Sequence, residues 1–360
     1  MILSATILRD GADLLKQLLG YSFAEDHNSD AEVQNSKPTV VLPVIMIGAR
    51  GVGKSSVLTS MWTELEALFK KMREEDPDNF KAKLYPALEH VAEFEDKRNK
   101  LMGYAQQEGL KVTAKGLDPN SDLEQYKIKI DIDGDKKADI EFVFNDLPGG
   151  WWTGRGEEAD FKDLKKVFEN SIYSIVAIDS TGLMEHDGEH NDYVNGCRTI
   201  VQVLSNLSEN RENNGRTCIF VLCRAEKYLH ENRRKELIDK FEVAYGEILE
   251  LFKADGGINY VCAVETVGCL ECNAMTVNRD DERNKTVEIE FMRTRGEYMP
   301  VSCELPIMLI LKDALVLAKG MKTGNNIPWL NVLFGRINGS KHFESFINKL
   351  DARIKQTALN

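Results

Sequence analysis

Three features that would place a protein in a membrane or outside the cell are missing from this sequence. No apolar run approaches the ~20 residues that a helix needs to cross a bilayer. The amino-terminal stretch has neither a basic start nor a continuous apolar segment, because Asp10 and Asp13 interrupt it, so we expect no signal peptide. The seven cysteines are an odd number and all lie after residue 196. They predict reduced thiols and a cytoplasmic location rather than a disulfide framework.

Basic charge is scarce relative to acidic charge. The 360 residues include 46 Lys and Arg against 58 Asp and Glu, which gives a formal net charge of −12. Such an acidic chain is a poor candidate for general binding of nucleic acids or anionic membranes.

A chain of this length can bury roughly three quarters of its unfolded surface, so its core requires neither disulfides nor a structural metal.

Changes in pattern divide the chain into three parts. The first part combines an amphipathic helix, which packs on its own domain or docks a partner, with an acidic linker that lacks periodicity. The last part places Phe343, Phe346 and Leu350 on one helical face, and packing onto the domain is favoured over an independent binding helix. The predicted parts are 1–37, a central domain at 38–322 with a helical insertion at about 73–124, and a helical extension at 323–360.

The central part alternates strand and helix patterns. Buried runs near Val40–Ile47, Ile172–Ile178 and Cys218–Cys223 predict strands with helices between them. Residues Tyr126 to Ile132 alternate apolar and polar, which predicts a half-exposed strand, and Asp133-Gly134 then turns the chain into another strand. The pattern predicts an α/β fold: a mostly parallel sheet with one antiparallel edge strand and helices on both faces.

The most specific motif follows the first strand. Gly48-Ala49-Arg50-Gly51-Val52-Gly53-Lys54-Ser55 fits the pattern G-x-x-x-x-G-K-[ST] and precedes a helical pattern. The glycines allow backbone N–H groups to surround phosphate oxygens, and the helix N-terminus adds positive potential. Lys54 would reach the outer phosphates, and the hydroxyl of Ser55 would bind Mg²⁺. The residues expected to contact the nucleotide here are Gly48, Arg50, Gly51, Val52, Gly53, Lys54, Ser55 and Ser56.

A second motif, Asp146-Leu147-Pro148-Gly149, follows the strand Ile140–Phe144. A carboxylate at the end of a strand beside the phosphate loop can hold Mg²⁺ through water, which assigns Asp146 to the metal site. Gly149 would offer its backbone N–H to the terminal phosphate. The motif is weak in isolation but strong after a hairpin and about 90 residues past the phosphate loop.

Together these motifs resemble a Ras-like P-loop GTPase of the TRAFAC class, and more narrowly the large bacterial double-GTPase type with a long switch insertion. The resemblance covers about residues 38 to 320 and implies GTP or GDP with Mg²⁺ as ligands. It also implies that a switch threonine binds Mg²⁺, and Thr113 is our choice for it, ahead of Ser121 in the same loop.

The base-reading motif departs from the family pattern [NT]-K-x-D. Here the strand runs into Cys223-Arg224-Ala225-Glu226. The carboxylate of Glu226 would pair with guanine and the stem of Arg224 would stack under the base. Guanine preference is favoured over loss of base selectivity, and the remaining alternative is an ordinary exposed loop pair.

Catalysis departs from the family pattern as well. Small GTPases of this class place a water-orienting glutamine where this chain has Gly150, followed by Trp151 and Trp152. Intrinsic hydrolysis should therefore be slow without help. The tryptophans form a surface for a protein partner or a self-dimer, or else pack against the domain's own helices. Besides Lys54, Arg50 is the expected catalytic residue, because it lies beside the terminal phosphate; the alternatives are a role toward a dimer partner or none.

Two weaker sets of residues have little support as metal sites. Cys269 and Cys272 form a lone C-x-x-C motif, and a zinc site would need two more ligands. His186 and His190 lie four apart, but in an acidic loop with Gly188 between them. Both sets are expected to be structural.

The sequence therefore predicts a GTP-binding molecular switch that hydrolyses slowly and acts through a protein partner. Two alternatives stay open: a P-loop ATPase or phosphotransferase, and a module that holds nucleotide without turnover.

Overall fold

A computed structural model describes residues 38–107, 110–112, 122–208, 217–254, 257–279, 285–320 and 328–359. Three of the sequence predictions fall outside these residues. They are the amino-terminal amphipathic helix and the acidic linker, both within residues 1–37, and the switch residue Thr113.

The described chain is organised around a seven-stranded sheet with the order β2-β4-β5-β1-β6-β7-β8. Strands β5, β1, β6, β7 and β8 run parallel, whereas β4 is antiparallel to β5 and β2 is antiparallel to β4. The predicted fold class, a mostly parallel α/β sheet, is confirmed. The strands are β1 Val40–Ile47, β2 Lys83–Pro86, β4 Glu124–Asp131, β5 Ile140–Asp146, β6 Tyr173–Asp179, β7 Thr217–Cys223 and β8 Asn259–Ala263.

Burial explains the two kinds of strand pattern. Every residue of β6 and of β7 is buried, since both strands lie inside the sheet with helices on both faces. Strand β4 instead alternates between buried and partly exposed residues over most of its length. Its apolar residues Tyr126, Ile128 and Ile130 enter the core, as the period of two predicted.

The position of the antiparallel strand differs from the prediction in one detail. We expected β4 at the edge of the sheet, but β2 pairs outside it, with Leu84 opposite Ile130 and Pro86 opposite Ile128. The segment around Leu84 was assigned to the helical insertion. It forms a strand because β4 would otherwise leave a row of backbone hydrogen-bonding groups unpaired. The helical part of the insertion is α2, Val91–Ala105.

Helices cover both faces of the sheet. On one face α1, α10, α11 and α12 share a hydrophobic cluster, and on the other face α4, α7 and α9 share a second. No helix in the described part of the chain is long and apolar enough to cross a membrane. The helices are α1 Lys54–Glu75, α2 Val91–Ala105, α3 Gly149–Trp152, α4 Glu158–Asn170, α5 Ser180–Met184, α6 Asn191–Asn195, α7 Cys197–Ser208, α8 Glu226–His230, α9 Arg234–Ala254, α10 Leu305–Gly320, α11 Pro328–Gly339 and α12 Lys341–Leu359.

The carboxyl-terminal helix α12 packs against the same core as α1. Phe343, Phe346 and Leu350 are buried, and the ring of Phe346 meets that of Phe69 edge-on with centroids 5.6 Å apart. The apolar face that the sequence shows in this segment is therefore satisfied within the chain.

A second sheet, not anticipated from the sequence, follows β8. It consists of β9 (Leu270–Arg279) and β10 (Lys285–Arg293), paired antiparallel, and of the short β3 (Lys111–Val112) from the insertion, which pairs with β10. Because β3 comes from the insertion, this small sheet connects the insertion to the region that follows the main sheet.

Candidate functional site

The phosphate loop connects β1 to α1 and needs its glycines. Gly48, Gly51 and Gly53 have φ angles of 153°, 83° and 102°, a region that side chains disfavour. At Gly48 a Cβ would also lie 2.8 Å from the carbonyl oxygen of Ala177. The loop therefore adopts a backbone that other residues could not follow, and it ends at the N-terminus of a 22-residue helix. This is the arrangement that favours anions.

Lys54 is the first residue of α1 and is only 8% exposed. Its Nζ donates to the carbonyl oxygen of Gly48 at 3.1 Å, so the side chain lies across the loop. Burial lowers the pKa of the Lys54 ammonium below its ordinary value, while the nearby Asp146 opposes this shift. A phosphate at this position would supply the negative charge that a buried ammonium needs.

Ser55 and Asp146 join the two motifs. The Oγ of Ser55 donates to Oδ2 of Asp146 at 2.8 Å, across 91 residues of sequence. Asp146 ends β5 and is 1% exposed, and β5 is the direct neighbour of β1. A hydroxyl and a carboxylate oxygen are both hard ligands of the kind that Mg²⁺ takes alongside water and phosphate. The residues at this position therefore fit the metal that the sequence implies.

Gly149 lies directly against the phosphate loop. A Cβ on Gly149 would lie 2.2 Å from the backbone nitrogen of Arg50 and 2.5 Å from the carbonyl carbon of Ala49. No side chain can occupy that space, so the backbone of the second motif contacts the backbone of the first. Gly149 therefore lies against the phosphate loop, and its contact with a terminal phosphate stays a prediction.

Trp151 and Trp152 are buried, at 9% and 0% exposure. They lie in α3 and belong to the hydrophobic cluster that contains Leu164 and Phe168 of α4. Of the two alternatives drawn from the sequence, this structure supports packing against the domain's own helices. The expectation of an exposed tryptophan surface is corrected, because the aromatic area is covered by α4 and its neighbours.

The remaining residues of the loop differ in exposure. Arg50 is exposed at the tip of the loop. Val52 and Ser56 are buried at 1% and 8%. The side chain of Val52 packs inside, so its backbone alone is available to a phosphate ligand.

An unanticipated charged residue, Asp179, organises the ends of β6 and β7. Its Oδ2 accepts a hydrogen bond from Nη1 of Arg224, whose Nη2 donates to the carbonyl oxygen of Gly51 at 2.9 Å. Burial lowers the pKa of Arg224, but Asp179, Cys223 and Glu226 together outweigh that effect, so the pKa is raised. Asp179 ends β6, a continuously buried strand that pairs with β1. A charged residue at the end of such an apolar segment is a signal in the sequence that could have marked Asp179 as a site residue.

Glu226 is 3% exposed and is engaged within the chain. Its Oε1 accepts hydrogen bonds from the backbone N–H groups of Val267 and Gly268 at 3.0 and 3.2 Å. Burial raises the pKa of Glu226 to about 7, and the two backbone donors partly oppose this effect. The carboxylate thus holds the loop that follows β8. Thr266 in the same loop accepts a hydrogen bond from the backbone N–H of Arg224 at 3.2 Å.

Among the described residues, no group of three or more His, Cys, Asp or Glu is placed to hold a metal ion. Cys269 and Cys272 are buried free thiols. His186 faces His190 with ring centroids 5.4 Å apart, and its Nε2 bonds the carbonyl oxygen of Met275.

No protein-family model and no curated protein matches the chain. Among solved structures it is similar to the S. cerevisiae Ski7 GTPase-like domain. The complex with GDP and inorganic phosphate is 13% identical with a TM-score of 0.35, and the complex with GTP is 14% identical with a TM-score of 0.36. Each match covers 62% of this chain and 43% of the other, so the chain spans less than half of those chains. At these TM-scores the similarity carries no argument about function, and the α/β fold rests on the sheet described above.

Proposed function

We propose that this chain binds a nucleoside triphosphate with Mg²⁺ in its phosphate loop, GTP being the nucleotide that the sequence resemblance implies, and acts as a slowly hydrolysing switch. The observation that carries the proposal is the hydrogen bond between Ser55 and Asp146. It joins two distant motifs at the carboxyl ends of neighbouring parallel strands, where open α/β sheets bind ligands.

The proposed roles follow from position. Backbone N–H groups of Gly51 to Gly53 and the ammonium of Lys54 bind phosphate oxygens. Ser55 and Asp146 hold Mg²⁺, which neutralises phosphate charge when bound. Gly149 offers its N–H to the terminal phosphate, since its backbone already lies against the loop.

Turnover is proposed to be slow because Gly150 has no side chain to orient water. Arg50 is exposed at the tip of the loop. Its guanidinium is proposed to stabilise charge on the terminal phosphate. A protein partner or a second copy is proposed to act near the segment that contains Trp151 and Trp152, whose side chains are buried in this conformation. A module that holds nucleotide without turnover remains the second candidate, and the absence of a side chain at Gly150 favours it.

Lys54→Ala should weaken triphosphate binding about ten- to a hundredfold. A hydrogen bond to a charged group contributes roughly 1.5–3 kcal/mol, and each ~1.4 kcal/mol is tenfold in affinity. The measurement is isothermal titration calorimetry with GTP and Mg²⁺, after circular dichroism has shown that the variant is folded. Lys70→Ala, an exposed lysine on the same helix, is the matched control and should bind as wild type does. Equal affinity in the two variants would remove the phosphate-loop assignment.

A further inference from the structure

A small pocket lies where a base-recognition site would be expected, beside Glu226 and the N-terminal end of α1. Its volume is about 30 Å³. The main sheet side contributes Gly53, Ser56, Cys223, Arg224, Glu226, Thr266 and Val267, and the insertion and the second sheet contribute Leu101, Tyr104, Leu270 and Phe291.

The pocket is too small for a nucleobase. An apolar cavity that accepts a benzene ring measures about 150 Å³, and one water needs at least about 10–15 Å³. The observed space therefore holds about two waters. A purine is larger than benzene, so this space does not hold one.

Three polar groups of the pocket already have partners within the chain: Oε1 of Glu226, the guanidinium of Arg224 and the hydroxyl of Thr266. Oε1 of Glu226 accepts from the amides of Val267 and Gly268. Arg224 bonds Asp179 and Gly51, and the Thr266 hydroxyl accepts from the Arg224 amide. A site rejects the wrong ligand strongly when its own buried polar atoms would be left unpaired. Here Oε1 of Glu226, the Arg224 guanidinium and the Thr266 hydroxyl are committed to contacts within the chain.

The outer wall is apolar and aromatic. Leu101 and Tyr104 come from α2, and Phe291 comes from β10, where the guanidinium carbon of Arg224 lies 5.7 Å from its ring centroid. Aromatic and guanidinium surfaces can stack on any base, because every base has a π-face. Contacts of this kind add affinity without distinguishing guanine from adenine.

We propose that this chain binds nucleoside triphosphates through the triphosphate and Mg²⁺ and does not discriminate guanine from adenine, with Glu226 as a positioning residue for the Val267–Gly268 loop. This inference rests on the proposed nucleotide binding and specifies its ligand class.

The test compares the affinities of GTP, ATP and inorganic triphosphate, each with Mg²⁺, by isothermal titration calorimetry. GTP and ATP should bind within about threefold of each other, and inorganic triphosphate within about tenfold of both. Glu226→Gln keeps an oxygen that accepts the two amides but loses the carboxylate that guanine pairing needs. It should leave the GTP to ATP ratio unchanged and the unfolding midpoint close to wild type. Glu226→Ala leaves both amides unpaired and should lower that midpoint while the ratio stays the same.

A tenfold or greater preference of the wild type for GTP, abolished in Glu226→Gln, would overturn the inference and leave the proposed nucleotide binding intact. Absence of binding by all three ligands to the folded wild type would overturn both. Lys54→Ala tests nucleotide binding independently of base preference. Specific triphosphate binding must weaken in that variant whether GTP or ATP is preferred.

Discussion

Arg50 is an exposed residue of the phosphate loop, and its backbone nitrogen lies against Gly149. If its guanidinium stabilises the transferring phosphoryl group, Arg50→Ala should lower the rate of GTP hydrolysis by roughly 10³-fold or more. Nucleotide affinity should stay within a few-fold, because the interaction is made mainly in the transition state. Single-turnover hydrolysis across a series of protein concentrations measures the rate.

Arg155 provides the control for this experiment, since it is another exposed arginine and lies close to Gly150. Arg155→Ala should hydrolyse GTP as wild type does. A rate independent of Arg50, of protein concentration and of added partner would contradict the assisted-hydrolysis hypothesis. It would favour the alternative that the chain holds nucleotide without turnover.

At the scale of elements, α12 is fixed to the core by a charged contact as well as by its aromatic face. Nε of Arg353 donates to Oε1 of Glu304 at 2.8 Å, and Glu304 is 1% exposed at the start of α10. Burial and the nearby Glu304 raise the pKa of Glu64 on α1. Arg353 therefore offsets negative charge where α1, α10 and α12 meet.

Arg353→Ala should reduce the free energy of unfolding by about 3 kcal/mol, because it leaves the Glu304 carboxylate buried without its cation. Urea unfolding at neutral pH measures the change. Lys355→Ala, an exposed residue on the same helix, should change stability by less than about 0.5 kcal/mol. Equal stability of the two variants would show that the ion pair does not hold α12.

The elements that sequence could predict are those with continuous or strictly alternating patterns. Strands β6 and β7 are buried throughout, and β4 alternates, so their apolar residues define them. Strand β2 has four residues, too few for a period, and its pairing with β4 depends on the edge that β4 exposes. The β9–β10 hairpin carries polar residues at many positions, and its pairing with β3 is a long-range contact that no local pattern encodes.

The candidate site also contains residues that the sequence could predict and residues that it could not. The phosphate loop could be predicted because its backbone requires glycine at fixed spacing, and Gly48 and Gly149 make the close approaches that this implies. The hydrogen-bond partners of Arg224 and Glu226 could not be predicted. The sequence does not show that Arg224 bonds Asp179, or that Glu226 accepts from the Val267 and Gly268 amides. The burial of Trp151 and Trp152 likewise depends on α4, which packs over them only in the folded chain.

At the scale of the whole molecule, burial raises the pKa of carboxyl groups on different elements. Burial raises the pKa of Asp313 on α10 to about 6, opposed by the hydrogen bond from Thr217 and by the nearby Tyr173 hydroxyl. Burial also raises the pKa of Glu226 to about 7. The ordinary values are 3.8 and 4.5. The folded protein therefore binds these protons more tightly than the unfolded chain does.

This difference fixes the sign of the pH dependence. Where the folded state holds more protons, the free energy of unfolding falls as pH rises. The contribution of Asp313 is fully present below pH 3.8 and is lost as pH rises to about 6; for Glu226 the corresponding range is 4.5 to about 7. For Asp313 alone the loss amounts to about 3 kcal/mol across its range.

We therefore predict that the chain is more stable near pH 5 than near pH 8, although its many exposed carboxylates titrate below this range. Urea unfolding at intervals between pH 5 and pH 8 measures the slope. Asp313→Asn removes one titrating group but keeps an oxygen that can accept from Thr217, so it should flatten the slope below about pH 6. The slope above pH 6 should remain, because Glu226 and Glu64, whose pKa values are raised to about 7 and about 9, still titrate there. Glu158→Gln changes a side chain that is 88% exposed and should leave the whole curve unchanged. A wild-type stability that rises from pH 5 to pH 8 would show that these carboxyls are ionised in the folded chain, and that the interior around α10 and Glu226 is more polar than the packing implies.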